Sequence, residues 1–373
     1  MLSTIKNELN KYDLYLLSFI LLMIIFGSIM VISAGSFIAA EKFNNENYFI
    51  TSQLKNVFLA VFAFCIAMTL NYRVYNNKYI MNTVLCLTVL ALVYLLISNQ
   101  GESIKGAKRW IFGFQPSEVA KNMIVFYFAY SINSKRQDVT KFIKGYIYHL
   151  AILSVVVVLV MLQPAFSTSM MIFVIGYSIF YIAGMKVKHL SSSMLVIIPL
   201  IIFMALFRSY RSDRISTFLS PSEDIAGAGW QVEQSLIGFG NGGMKGSGIG
   251  ESRQKEFYLP EPHNDFIFSI IGDELGFAGT FILVGAYIFI MIRGFIIALK
   301  AKDHFGFLLA SGITVTVIIY SVFNMFITLG LVPPTGLPLP LISYGGTSLI
   351  MTMFSLGVLL NISYKSSKGK ATV

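Results

Sequence analysis

The feature that most constrains this chain is the recurrence of apolar runs about as long as a membrane is thick. A hydrocarbon core about 30 Å thick needs roughly 20 apolar residues per helix, and the 373-residue chain is 55% hydrophobic and only 12% charged. This composition excludes a soluble enzyme and a disordered chain, so we predict an all-α polytopic membrane protein with about ten transmembrane helices. The predicted spans are 14–34, 50–70, 79–98, 117–133, 145–163, 167–184, 190–207, 265–299, 305–330 and 346–363.

Lysine and arginine are distributed unequally between the two sets of loops that these spans create. One set contains both termini and the loop with Arg73 and Lys78, and it holds most of the 28 basic residues of the chain. Because cytoplasmic loops carry the excess, we predict that both termini are cytoplasmic. The same asymmetry explains most of the net charge of +10, so the basic balance indicates topology and does not indicate nucleic-acid binding.

Two connections on the predicted extracellular side are unusual. Residues 208–264, between the seventh and eighth spans, form one large loop, and residues 331–346 contain four prolines and three glycines. The second loop cannot be regular helix, and irregular backbone near a membrane implies a cavity or a covering of protein. We treat 1–373 as a single transmembrane domain with these two extracellular loops.

The fourth span contains an acid and a base at helical spacing. Glu118 and Lys121 are three residues apart, which places them on one helix face where they can pair. Ionisable groups inside a membrane are costly and need a partner or a purpose. One interpretation is a structural ion pair, and the other is that the pair lines a polar cavity that receives a charged head group.

The eighth span opens with a second group of polar residues, His263, Asn264 and Asp265. Asn264 or Asp265 could cap the helix, and the functional alternative is that Asp265 is a general base at the membrane rim, with His263 beside it. Asp273 and Glu274 lie two turns deeper, and we expect them to be structural and buried against polar partners.

The large loop is rich in glycine and contains three further cations. Gly238, Gly240 and Gly243 match a dinucleotide-binding spacing, but no strand precedes them, so this match is spurious. Lys245, Arg253 and Lys255 could offer positive charge to a phosphate, although ordinary solvated charge is the favoured interpretation of each one taken singly.

Four sequence blocks together resemble the SEDS family of peptidoglycan polymerases, represented by FtsW, RodA and SpoVE, and most closely its FtsW and SpoVE branch. The resemblance covers nearly the whole chain. The blocks are GAKRWI (106–111) with QPSEVAK (115–121), LQPAFSTSM (162–170), the glycine-rich stretch 229–276 that includes SRQKEFYLPEPHNDF (252–266), and GLVPPTGLPLPLISYGGTS (330–348).

This resemblance implies a glycosyltransferase that polymerises lipid II at the outer face of the cytoplasmic membrane, in cell division or sporulation. It implies that Asp265 is the catalytic aspartate, and removal of a proton from an alcohol by a carboxylate fits such a role. The leaving pyrophosphate needs cations, for which the candidates are Arg109, Lys121, Arg208 and Arg214.

The remaining expectations concern the cavity, cofactors and partners. Glu118 is expected to orient Lys121, Trp110 to pack at the cavity mouth, and Lys245 and His263 to complete the substrate-binding set. No ligand cluster signals a metal, although the chemistry leaves room for a divalent cation such as Mg²⁺ or Mn²⁺. The resemblance also implies lipid II and an undecaprenyl-pyrophosphate-linked glycan as substrates, a class B penicillin-binding protein as partner, and other divisome or sporulation proteins.

Two alternatives belong to other functional classes. A lipid II flippase or other transporter would also use intramembrane acids and bases, and a scaffold of the cell-wall machinery would bind its partner without needing Asp265. The candidate residues cluster at one membrane face, and this position counts against a transporter.

Overall fold

The computed structural model describes residues 12–98, 102–104, 107–111, 113–163, 165–206, 218, 227–256 and 258–367. Long helices dominate these residues, and the segments between them include a 3₁₀ turn at Tyr72–Asn76 and a π turn at Phe142–Ile147. The helices are α1 Leu14–Phe43, α2 Tyr48–Thr69, α3 Lys78–Ile97, α4 Pro116–Ser134, α5 Tyr148–Leu162, α6 Phe166–Ile182, α7 Val187–Leu206, α8 Ala228–Gly242, α9 Ile267–Leu299, α10 His304–Thr328 and α11 Gly346–Ser367.

Each of the ten predicted spans coincides with one of these helices; the ends agree within a few residues except for the first, since α1 continues to Phe43, nine residues beyond the predicted end at 34. Seven helices are long and apolar enough to cross a membrane, and Phe166–Ile182 and Val187–Pro199 are shorter apolar segments. Helix α4 is not among them, but most of its residues are buried inside the bundle, so its polar groups face protein. The chain is therefore a multi-pass membrane protein.

Two elements depart from the prediction. A short antiparallel hairpin, β1 Glu102–Ile104 with β2 Ala107–Trp110, precedes α4, so the described chain is not purely helical. The predicted loop 208–264 contains α8, an amphipathic helix whose 15 residues are too few to cross a membrane. Val232 and Phe239, seven residues apart, give α8 an apolar face at helical spacing. Phe239 packs on Phe268 of α9, and Val232 lies beside Gly330, just after the end of α10.

The two termini of the described chain meet at one end of the bundle, here called the terminal end. The backbone N–H of Asp13 donates to Ser363 Oγ (2.9 Å), and Arg293 Nη2 lies 2.6 Å from Asp13 Oδ2. Nearby, Tyr72 donates to Asp303, and burial together with this carboxylate raises the pKa of the Tyr72 hydroxyl to about 12. The opposite end, here called the loop end, is where residues 258–266 and 329–345 meet.

Helix α9 is broken at Gly276, which has φ +64° and ψ −163°. At the break, the glycine-rich turn after α8 replaces the helix's own hydrogen bonds. Two amides of α9 donate to carbonyls of the turn, and two amides of the turn donate to the α9 carbonyls that those amides would otherwise use. The four bonds are Phe277 N to Gly243 O (2.8 Å), Ala278 N to Met244 O (3.3 Å), Ser247 N to Asp273 O (2.9 Å) and Gly248 N to Glu274 O (3.0 Å).

This exchange leaves the kinked helix with its backbone groups bonded, as membrane depth requires. It also requires close approach of two backbones. A Cβ on Gly246, whose φ is +81°, would overlap the Glu274 carbonyl oxygen.

We expect Gly246→Ala to destabilise the protein by at least about 1–2 kcal/mol, because a side chain would combine left-handed strain with a backbone overlap. The matched control is Gly240→Ala on α8, where an added Cβ meets nothing within 4 Å. Thermal unfolding of the two detergent-solubilised variants measures the difference. Equal melting temperatures would show that the turn does not hold the kink.

Candidate functional site at the loop end

The segment before α9 places Asp265 at the loop end of the bundle. Helix α9 begins at Ile267, and its N-cap residue is Phe266, which makes no side-chain capping bond. Neither Asn264 nor Asp265 therefore occupies the cap position considered from the sequence. Asp265 is only partly buried.

Three consecutive carbonyls of this segment are bonded by residues much later in the chain. Tyr344 N donates to His263 O (2.9 Å), Ser343 Oγ to Asn264 O (2.7 Å), and Asn324 Nδ2 to Asp265 O (2.8 Å). The same Asn324 nitrogen donates to Leu337 O (2.7 Å). The proline-rich loop and α10 thus fix the backbone that carries Asp265.

The proline-rich loop also lies directly against the Asp265 carboxylate. A Cβ built on Gly336 would lie 3.0 Å from Asp265 Oδ2, a separation that few real Cβ contacts show. Gly336 is itself exposed. The absence of a side chain at this position leaves room beside the carboxylate.

His263 does not extend into this open region. It is 9% exposed, and its ring lies 4.4 Å from the ring of Phe49 and 5.5 Å from that of Tyr344, measured between centroids. Tyr344 in turn shares a 2.6 Å hydrogen bond with Ser52, and burial raises the pKa of its hydroxyl. His263 is therefore packed in an aromatic cluster that joins α2 to the loop end.

Glu118 and Lys121 form the ion pair that their spacing predicts. Lys121 Nζ lies 2.6 Å from Glu118 Oε2, each residue is 3% exposed, and the ammonium lies 3.9 Å from the centroid of the Tyr320 ring. The cavity beside the pair has about 10 Å³, room for about one water molecule. In this conformation the cavity is far too small for a head group.

Helix α10 connects the ion pair with the aspartate. Tyr320 contacts Lys121, and Asn324, one turn further along, donates to the Asp265 carbonyl. Four residues of helix rise about 6 Å. The Glu118–Lys121 pair and the Asp265 backbone, predicted from separate motifs, therefore contact α10 at residues one helical turn apart.

For the other candidate residues, the structure gives at most their position in the chain and their exposure. Trp110 ends the β-hairpin and is partly buried, and Arg109 precedes it in the same strand. Lys245 is exposed in the glycine-rich turn. Arg208 and Arg214 lie outside the described residues.

The comparisons with known proteins agree with this architecture. Residues 13–368 match the family model FTSW_RODA_SPOVE, described as "Cell cycle protein". The chain belongs to this family.

Curated relatives in the family extend over nearly the same length. The probable peptidoglycan glycosyltransferase FtsW of Geobacter sulfurreducens is 38% identical over 361 residues, covering 96% of this chain and 96% of the relative. Stage V sporulation protein E of Bacillus subtilis is 36% identical over 355 residues, covering 94% and 96%.

Solved structures share the fold of this family member. A peptidoglycan synthase complex contains a chain with a TM-score of 0.76 at 24% identity, covering 94% of this chain and 97% of that chain. The rod shape determining protein RodA of Thermus thermophilus gives a TM-score of 0.68 at 23% identity, covering 94% and 96%.

One sequence-based expectation for this family member was wrong. Lys255, taken as solvated charge, is 4% exposed and pairs with Glu274 Oε1 at 3.2 Å. Ser33 Oγ donates to the same carboxylate at 2.7 Å.

Asp273 accepts a 2.6 Å hydrogen bond from Ser252. The expectation that Asp273 and Glu274 are buried against polar partners is thereby confirmed.

Two residues of the site were missed from the sequence. Asn324 stands alone in an apolar span, and the one signal available was the cost of an unpartnered amide in a membrane. Gly336 was noted only as part of a proline-rich loop. Within the described part of the chain, no group of three or more His, Cys, Asp or Glu residues is suited to hold a metal.

We expect Glu118→Ala to destabilise this family member by about 3–5 kcal/mol, because removal of one partner leaves the buried Lys121 ammonium unpaired. The matched control is Asp138→Ala, since Asp138 forms an ion pair of the same spacing with Lys141 on an exposed surface and should give no measurable change. Thermal unfolding in detergent checks both. A Glu118→Ala protein as stable as wild type would show that Lys121 does not depend on this carboxylate.

Proposed function

We propose that this protein is a peptidoglycan glycosyltransferase that polymerises lipid II into β-1,4 glycan strands, with Asp265 as its general base. The relatives named above support the activity. The observation that supports Asp265 as the base is its position: a partly exposed residue on a backbone segment bonded at three consecutive carbonyls.

The chemistry requires one base in a fixed place. The 4-hydroxyl of the incoming lipid II is a weak nucleophile until a carboxylate at hydrogen-bond reach accepts its proton in the transition state. Displacement of an α-linked pyrophosphate to give a β linkage is an inversion, which needs no covalent intermediate. A single rigidly held aspartate is sufficient for this step.

The leaving pyrophosphate requires positive charge nearby. Lys121 is neutralised by Glu118 in this conformation, so its use would require the pair to open. Arg109, Arg208, Arg214 and Lys245 stay candidates for the pyrophosphate, with Trp110 at the cavity mouth. A divalent cation would reinforce them, but Asp265 belongs to no described cluster that suits one, and the proposed steps do not pass through a metal.

The location and partners follow from the same proposal. The Lys and Arg excess supports a cytoplasmic terminal end, which puts the loop end and Asp265 on the extracellular face of the cytoplasmic membrane. A transpeptidase of class B penicillin-binding type is the proposed partner, because a relative of similar fold occurs in a peptidoglycan synthase complex. We propose that 1–373 acts as one domain in division or sporulation, together with other proteins of those assemblies.

We expect Asp265→Asn to abolish polymerisation of purified lipid II while the melting temperature stays near that of wild type, because the amide cannot accept the proton. Glycan products resolved on a gel, with and without the transpeptidase, provide the measurement. Strands made normally by the variant would reject Asp265 as the base. Absence of strands from wild type with its partner, together with transfer of fluorescent lipid across vesicles, would favour a flippase, and absence of both would favour a scaffold.

We expect Gly336→Ala to lower kcat/KM by about 10-fold or more, because its methyl group would displace the Asp265 carboxylate from its productive position. The control is Gly345→Ala in the same loop, where the nearest atom to an added Cβ is Ser348 Cβ at 3.7 Å. Rates of lipid II consumption compare the two. Equal rates would mean that the approach of Gly336 to Asp265 has no bearing on the reaction.

A further inference from the structure

We propose that Asn324 is a positioning residue, which holds the Asp265 carboxylate in register with the proline-rich loop by bonding both backbones at once. The inference rests on the proposed function, because it takes Asp265 to be the base. The observation behind it is separate from those that support the base, since it concerns the hydrogen bonds of the buried Asn324 amide.

The Asn324 amide has both of its hydrogens committed to the site. Its nitrogen lies 2.8 Å from Asp265 O and 2.7 Å from Leu337 O, and the residue is 0% exposed. Carbonyl oxygens only accept hydrogen bonds, so the group facing both of them must be the NH₂ of the amide. A carboxylate or an apolar side chain of similar shape could make neither bond.

The two carbonyls flank the close approach described above. Asp265 carries the carboxylate, and Leu337 directly follows Gly336, whose backbone lies against that carboxylate. Because one nitrogen atom bonds both carbonyls, it fixes the distance between Asp265 and the backbone at Gly336 beside it.

Asn324 lies on a different structural element from the other two donors to the segment 263–265. Ser343 and Tyr344 belong to the proline-rich loop itself, so these two bonds join one loop to the other. The proline-rich loop is tied to the bundle separately, by Tyr344 to Ser52 of α2 and by Tyr287 of α9 to Pro340 O. Asn324 lies on α10 and joins both loops to a membrane helix. Without its amide, the Asp265 and Leu337 carbonyls would lose their shared donor, and the two loops would lose the bonds that hold both of them to α10.

A displacement of this kind should affect the rate of reaction more than the binding of substrate. A base misplaced by about 1 Å can lower the rate on the order of 100-fold. A loss confined to the transition state lowers kcat and leaves KM nearly unchanged.

Asn361 provides a matched control at the terminal end. It is 1% exposed and also bonds two backbone groups of another segment, donating to Met68 O (2.8 Å) and accepting from Tyr72 N (2.9 Å). Asn324→Leu and Asn361→Leu each remove one buried bridging amide and should lower the melting temperature by similar amounts.

We expect Asn324→Leu to reduce kcat for lipid II polymerisation by about 10–100-fold with little change in KM, while Asn361→Leu keeps the wild-type kcat. Amide hydrogen exchange should increase in residues 335–345 of Asn324→Leu and not in those of Asn361→Leu. If Asn324→Leu does not fold, Asn324→Ser takes its place in the same assay. Because serine keeps one short donor, we expect its kcat to fall below that of wild type by less than the loss of about 10–100-fold expected for leucine.

Each outcome bears on a different claim. Wild-type kcat in the Asn324 variant, or an equal loss of kcat in both leucine variants, would overturn the positioning role. Unchanged exchange in residues 335–345 would show that the amide does not hold the loop. Activity retained in Asp265→Asn would instead reject the base on which the proposed function depends, whatever the Asn324 variants do.

Discussion

The structure depends on one constraint, which is that backbone N–H and C=O groups near a membrane must find partners within the protein. Regular helix meets this demand without help, but three loop segments and the break in α9 do not. The glycine-rich turn and the α9 break satisfy each other through four exchanged bonds. The segment before α9 is satisfied by the proline-rich loop and by Asn324. The irregular backbone at these points therefore has hydrogen-bond partners, as helical backbone does, and it can carry a carboxylate in a defined position.

Much of the fold could be predicted because its causes are local. Ten apolar runs became ten helices since each run contains its own hydrogen-bond partners and needs only the right length. The spacing of Glu118 and Lys121 predicted their pairing, because residues three apart share a helix face. The four prolines of the loop 331–346 excluded helix there, and the structure has none between Thr328 and Gly346. Helix α8 was missed because its 15 residues are too few for a search based on membrane thickness.

The contacts that build the candidate site could not be predicted, because they join residues far apart in sequence. Asn324 is 59 residues from the carbonyl that it binds, and Lys255 meets a serine of α1 across 222 residues. Nothing in the local pattern around Lys255 separates a buried cation from a solvated one. From the sequence, Gly336 was only one of the glycines of a non-helical loop, whereas its importance lies in the space beside a carboxylate. Burial and close approach are properties of the packed chain.

Helix α10 gives the site its organisation. The contact of Tyr320 with Lys121 and the bond of Asn324 to Asp265 O occur one turn apart on the same face, and α10 is largely buried along its length. A displacement of this helix would therefore move the environment of the ion pair and the backbone of the aspartate together. The proposed reaction needs a cation near the departing pyrophosphate and a base near the incoming hydroxyl. If Lys121 leaves its pair with Glu118 to serve as that cation, one helix that contacts both the Lys121 side chain and the Asp265 backbone would keep the distance between cation and base constant.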